Sequence, residues 1–236
     1  MAKFPGHQLT EVLCGFWFDP ESNQWDSTYF GEFHNLAKEL GYNEKQEQKG
    51  FQIKFNLSPQ NTESSKAEPN EMETRMVFKN PEKQSAIIVA PNYISIHKLP
   101  PYDSWERLLE EVEPLLDIYF SLSLGKSLLQ ANVAYINQIE LDRFESISEK
   151  FGILPQADVL RPGLQQNLFF QSQYSFDPNL LAHLKLFQNK VSEKNIGFVF
   201  ECSCLAINYT REDTWKNLIQ AAHDKSNEIF NSIIKK

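Results

Sequence analysis

The cysteines are candidates for a reactive or metal-binding role in this sequence. Cys202 and Cys204 lie two residues apart in an apolar run, so in a strand their thiols point to the same face. Such a pair could bind a soft metal ion, but a structural site needs about four ligands, and Cys14 is the only other cysteine. Because free cysteine is often buried as a small apolar residue, we expect core thiols and no metal.

The five histidines give no signature of a metal or nucleophile site. None forms an H-x-x-x-H or H-E-x-x-H motif, and none lies beside a recognisable nucleophile motif. The sequence therefore predicts no catalytic residue, no metal and no cofactor. The histidines are His7, His34, His97, His183 and His223.

One amide interrupts the apolar side of a predicted strand. In "ANVAYINQIEL", Asn137 falls between Tyr135 and Ile139 on the same side of the strand. A buried polar group needs hydrogen-bond partners. Asn137 therefore either holds a β-bulge or backbone turn or, with Tyr135, contacts a ligand.

An uncharged polar strip is the most suggestive surface in the sequence. The run "LQQNLFFQSQYSF" at 164–176 alternates as a strand does. One side of it carries amides and a single aromatic residue, a composition that suits protein or peptide contacts but is also found on ordinary solvated sheet faces. We predict that these residues form part of a surface that binds another protein. They are Gln165, Asn167, Phe169, Gln171 and Gln173.

The predicted helices of this sequence occur in two similar pairs. "YDSWERLLEEVEPLLDIYF" at 102–120 aligns with "EDTWKNLIQAAHDKSNEIF" at 212–230, at an offset of 110. "EFHNLAKELGY" at 32–42 aligns with "RFESISEKFGI" at 143–153, at an offset of 111. Two amphipathic helices that recur at nearly the same spacing predict an internal duplication.

The start of the central helix can be read in detail. Asp103 is the predicted N-cap, with Glu106 three residues later as its capping-box partner. Trp105 and the aligned Trp215 are expected to anchor their helices against the sheet. Pro114 lies inside the first helix and is expected to kink it.

Between the helices, short connections join alternating runs, which predicts antiparallel strands. We therefore expect an α+β fold of two tandem β-α-β4-α-like repeats, with curved antiparallel sheets packed on long helices. The repeats are 8–126 and 127–236, joined in one compact pseudo-symmetric unit. The polar segment 58–73 is expected to be a mobile loop. Each repeat resembles a TATA-binding-protein-like or helix-grip unit by topology only.

The amino-acid composition limits the kinds of molecule that this protein is expected to bind. The formal net charge is −8, which does not suit binding to duplex nucleic acid, because that binding depends on Lys and Arg displacing counterions. The three cysteines are typical of a reducing compartment. The first residues lack a signal-peptide core, and no run approaches the roughly 18 apolar residues of a membrane span. We expect a cytoplasmic protein that does not enter a membrane.

Three motifs resemble a known family. "EVLCGFWF" near the start, "YINQI" at 135–139 and "YDSWERL" before the central helix are similar to those of a sporadically distributed, largely uncharacterised bacterial and archaeal family of about this length. That family has an N-terminal V-E-V-type strand, a central R-Y-I-N-x-I strand and a Tyr-x-x-W helix start. This chain has no arginine before Tyr135. The resemblance implies an accessory or partner-binding role in prokaryotic defence, whether CRISPR-associated, anti-phage or toxin–antitoxin.

Two functions remain in view. The first is a non-catalytic adaptor that holds another protein on the free face of its sheet. The second is a small-molecule sensor or enzyme with a pocket between sheet and helices. Because no nucleophile, metal or phosphate motif is present, the sequence favours the adaptor. The identity of the partner and the oligomeric state are not determined by the sequence.

Overall fold

The protein has an α+β architecture, as the sequence predicts. The computed structural model describes residues 7–22, 25–48, 51–54, 68–71, 74–122, 124–125, 127–142, 168–192, 194–207 and 214–233. Within these ranges the chain forms eleven strands and three α-helices. The helices are α1 (Thr28–Ala37), α2 (Trp105–Ser121) and α3 (Trp215–Ile233). The strands are β1 (His7–Phe18), β2 (Glu44–Gln48), β3 (Phe51–Lys54), β4 (Glu68–Glu71), β5 (Arg75–Asn80), β6 (Ser85–Ala90), β7 (Tyr93–Lys98), β8 (Leu128–Asp142), β9 (Phe169–Asp177), β10 (Leu180–Val191) and β11 (Asn195–Ile207).

Nine of these strands form one antiparallel sheet across both predicted halves. Its order is β2-β5-β6-β7-β1-β8-β11-β10-β9, while β3 and β4 pair separately. The long strands β1 and β8 lie at the centre and pair with each other from His7 opposite Ile139 to Phe18 opposite Leu128. From this pair outward, one side reads β1-β7-β6-β5-β2 and the other reads β8-β11-β10-β9. Each half therefore places its first strand beside its last one.

All three described helices contact the same face of the sheet. Each helix buries an aromatic side chain against an aromatic side chain of a strand, and such contacts between large rings dominate core energetics. We call the opposite face, which no described helix contacts, the open face. The helix-side pairs are Phe33 of α1 with Phe78, Tyr119 of α2 with Phe18, and Phe230 of α3 with Phe200.

The two Trp helices begin with the same cap one residue before the tryptophan. The Ser104 hydroxyl accepts from the Arg107 backbone N–H, and the Thr214 hydroxyl accepts from the Asn217 backbone N–H. The predicted N-cap, Asp103, is therefore wrong by one residue, because the Ser104 hydroxyl reaches the N–H three residues further on. The helix α2 continues through Pro114 to Ser121.

Some predicted elements differ from those observed. The strand β2 was missed because all five of its side chains are exposed, so it has no apolar alternation to detect. Within the predicted loop 58–73, Glu68–Glu71 forms β4, which pairs with β3. The predicted helix at 143–151 lies outside the described residues. Among the described helices, none combines the length and apolarity that crossing a membrane requires.

Candidate functional site

The strand β9 carries the uncharged strip predicted to bind a partner. Gln171 and Gln173 are exposed, and Phe169 has 71% of its surface exposed. These three residues lie on the open face. Gln165 and Asn167, the other two residues of the predicted set, lie outside the described residues. The described part of the strip thus presents two amides and one ring to solvent.

The neighbouring strands extend this surface. Phe169 lies opposite Phe187 of β10, and Gln171 lies opposite Lys185. The Lys185 ammonium group is paired with the Glu201 carboxylate at 3.1 Å, so this basic group is neutralised within the sheet. The open face next to β9 therefore combines amides, two rings and an internally balanced ion pair.

A second cluster forms where α2 and α3 meet β8 on the helix side. The Trp105 indole stacks on the His223 ring, with centroids 4.0 Å apart and planes 4° from parallel. The indole N–H donates to the Gln220 side-chain oxygen at 2.7 Å. The Tyr135 hydroxyl lies 2.5 Å from His223 Nδ1, and the Tyr102 hydroxyl bonds to Tyr135. The Tyr-x-x-W motif and the Y-I-N strand therefore meet at His223.

Burial sets the protonation of this cluster. It lowers the pKa of His223, although Asp224 and Glu106 act in the opposite direction. It also raises the pKa of Tyr102 to about 12 and that of Tyr135 further. The Asn227 side-chain nitrogen lies 2.9 Å from His223 Nε2 and can only donate, so Nε2 accepts its hydrogen bond. In a neutral imidazole the proton is then on Nδ1, which donates to the Tyr135 hydroxyl oxygen.

This lowered pKa predicts that stability falls in mild acid. The unfolded state protonates His223 below its ordinary pKa of about 6.5, whereas the folded state does so only at lower pH. The folded state therefore loses free energy as pH falls below that value, by at most about 1.4 kcal/mol per pH unit for one proton. His34 contributes with the same sign, because burial and then the charges of Lys38 and Lys45 lower its pKa.

Denaturant unfolding between about pH 7 and about pH 5 measures this dependence. We expect His223→Phe, which keeps a ring against Trp105, to flatten the profile relative to the native chain. His34→Phe is the comparison, and the double variant should be flatter than either single variant. A profile unchanged by His223→Phe would contradict this assignment.

Asn137 lies in the sheet core and is fully buried. Its amide donates to the backbone oxygens of Tyr135 at 3.3 Å and Phe200 at 3.4 Å. The pairing of β1 and β8 shifts register between Leu9, which faces Asn137, and Glu11. Asn137 therefore lies at a β-bulge, which is one of the two roles that the sequence left open. Its donor group is directed at the backbone.

A polar chain on the open face was missed by sequence reasoning. The Ser95 hydroxyl lies 2.8 Å from His97 Nε2, and His97 Nδ1 lies 2.5 Å from a Glu11 carboxylate oxygen. The order of groups is that of a serine nucleophile with its base and orienting acid. Ser95 is fully buried, however, and also bonds to Tyr93, so a substrate cannot reach it in this conformation. The sequence does place Ser95 and His97 on the same side of one strand, which is the part of this polar chain that it could indicate. Glu11 is distant in sequence, so its contact with His97 has no local signal.

The cysteines are placed as core residues. Cys14, Cys202 and Cys204 are free and buried, and burial raises the pKa of the Cys14 thiol, which keeps it protonated. Within the described residues, no group of three or more His, Cys, Asp or Glu side chains is placed to hold a metal ion.

Comparison with known proteins identifies no family for this chain. No protein-family model matches it, and no curated protein matches it.

Proposed function

We propose that this protein is a non-catalytic binding module that holds another protein on the β9 end of its open face. The observation that carries the proposal is Phe169, which leaves 71% of its surface exposed on the same face of β9 as the uncharged amides of Gln171 and Gln173. Exposed aromatic residues without charged neighbours are enriched where proteins bind each other. The net charge of −8 supports a protein partner over duplex nucleic acid.

The alternative of a ligand pocket between sheet and helices has less support. Its two candidate residues, Tyr135 and Asn137, use their polar groups internally: the Tyr135 hydroxyl bonds to His223, and the Asn137 amide bonds to backbone oxygens. Groups already satisfied within the core have little to offer a ligand. The amides of β9, by contrast, face outward.

We expect Phe169→Ala to leave folding nearly intact, with an unfolding free energy within about 0.5 kcal/mol of the native value. The same variant should lose the protein partner, because truncating a central aromatic residue commonly costs binding at least 2 kcal/mol or so. The measurement pairs thermal unfolding with affinity capture from the native host, in which native and Phe169→Ala baits are compared by mass spectrometry.

Leu99→Ala is the matched control, since Leu99 is also an exposed apolar residue, at 43%, and lies at the end of β7. A partner retained by the native and Leu99→Ala baits but lost from Phe169→Ala supports the proposal. A large fall in melting temperature for Phe169→Ala, with partner retention unchanged, would show that Phe169 is a core residue.

We further propose that the module arose by tandem duplication, as two β-α-β4-α-like repeats at 8–126 and 127–236. Two features support this: the strand order outward from β1 matches the order outward from β8, and the Trp105 and Trp215 helices share the same hydroxyl cap. An accessory role in prokaryotic defence, which the family resemblance implies, and a cytoplasmic location, which the composition predicts, stay part of the proposal.

A further inference from the structure

The outer edge of β9 carries backbone groups directed away from the sheet. Among the strands of the described residues, β9 is the last one on its side of the nine-stranded sheet. The Gln188 backbone N–H donates to the Leu168 oxygen at 3.0 Å, so Leu168 points its backbone groups toward β10. Antiparallel strands alternate these directions from residue to residue. Phe169, Gln171 and Gln173 therefore point their N–H and C=O groups outward.

The two edges of the sheet differ in charge. At one edge, β2 reads EKQEQ and carries charged side chains, which discourage pairing with another strand. At the other edge, β9 has no charged residue from Phe169 to Phe176 and reaches its first charge at Asp177. An edge strand without charge or proline is a template for adding a strand. Of the two edges that the described strands form, the β9 edge alone has this property.

We propose that β9 pairs antiparallel with β9 of a second copy, joining two nine-stranded sheets around a two-fold axis. This inference rests on the proposed function in one respect, namely that β9 is an interaction strand. It concerns the backbone edge of β9, whereas the partner surface consists of side chains on the open face.

Charge and symmetry favour a second copy as the occupant. Two chains of net charge −8 repel each other over most of their surfaces, but two copies of the uncharged segment 169–176 meet without repulsion. Directly opposite residues in an antiparallel pair lie on the same face, so the two open faces would become continuous. With the axis near Gln173, Phe170 of one copy lies opposite Phe176 of the other.

Two partly exposed rings lie beside this edge on the helix side of the sheet. Tyr174 lies opposite the buried Ala182, and Phe176 lies against Lys225 of α3. These rings are 42% and 46% exposed, so if a full aromatic side chain offers about 200 Å², they leave roughly 180 Å² exposed in each copy. Pairing of the two strands would cover part of this apolar area together with the strand edge.

The test is the association state of the full chain, measured by sedimentation or light scattering from about 1 µM to about 100 µM. The native chain should form dimers as concentration rises. Gln171→Pro removes an outward N–H without touching the β10 ladder and should weaken the dimer about tenfold or more. Gln171→Ala removes the same side chain but keeps the N–H, so it should still dimerise.

A charged side chain tests the dimer a second time without changing the backbone of β9. Gln173→Lys places two ammonium groups near the axis and should also weaken the dimer. Gln46→Lys, on the opposite edge, should leave it unchanged. A native chain that stays monomeric, a Gln171→Pro variant that dimerises as the native chain does, or equal loss in Gln171→Ala would overturn the inference. A monomeric chain that still shows Phe169-dependent capture would overturn only the dimer, leaving the proposed function in place.

Discussion

Trp105→Ala is expected to lower the free energy of unfolding by about 3–5 kcal/mol, the range for removing a large buried aromatic side chain. Trp105 is 7% exposed. Its truncation removes the stack on His223 and the hydrogen bond to Gln220 together. The neighbouring groups belong to a different helix and cannot collapse onto an alanine without moving that helix. Denaturant unfolding monitored by far-UV circular dichroism measures the loss.

Trp105→Phe is the control that keeps an aromatic ring against His223 but deletes the indole N–H. Its loss should be clearly smaller than that of the alanine variant. Trp215→Ala gives the comparison within the proposed repeat: Trp215 is only partly buried and meets Phe16 edge-on at a centroid distance of 6.0 Å, so its truncation should cost less. An alanine variant at Trp105 that unfolds like the native chain would mean that this tryptophan is not a structural anchor.

The second large effect is expected for Asn137→Ala, at about 1–3 kcal/mol of unfolding free energy. The buried amide donates to two backbone oxygens beside the β1–β8 bulge. Its removal leaves those bonds unmade in a place that water cannot easily reach. Equilibrium denaturation in urea measures the difference.

Gln138→Ala is the matched comparison, because the adjacent amide lies on the open face and bonds to the exposed Asn189. That change should stay within about 0.5 kcal/mol. If Asn137→Ala were equally mild, the bulge role would be wrong, and a ligand-contacting role for Asn137 would regain support.

The cluster of side chains around His223 connects the two proposed repeats. Tyr102 and Trp105 precede β8 in the sequence. Tyr135 lies on β8, at the centre of the sheet, and His223 lies on the last helix, α3. The helices α2 and α3 are also joined by the ion pair of Lys216 with Glu113. Because the Trp105–His223 stack and the Lys216–Glu113 ion pair each join groups from different repeats, we expect the repeats to unfold together.

Local patterns determined the elements of this protein. Apolar alternation is visible without a structure in β8 and β10, because one side of each strand is buried against helices. The strands β1, β6 and β11 are recognisable as short apolar runs. The same applies to the helices that begin at Trp105 and Trp215, where a capping residue precedes a regular apolar stripe. The exposure of Phe169, Gln171 and Gln173 also followed from alternation alone.

Which of these elements pair or pack against each other could be learned only from the three-dimensional fold. The strand β2 has no buried side chain, so nothing in its sequence marks it; pairing with β5 makes it a strand. The joining of both halves into one sheet depends on β1 pairing with β8, more than a hundred residues apart. Glu11 meets His97 because β1 also pairs with β7, and Tyr135 meets His223 because α3 packs against β8. Periodicity reports which side of an element is buried, whereas the partner across the core is set by long-range pairing that leaves no local signal.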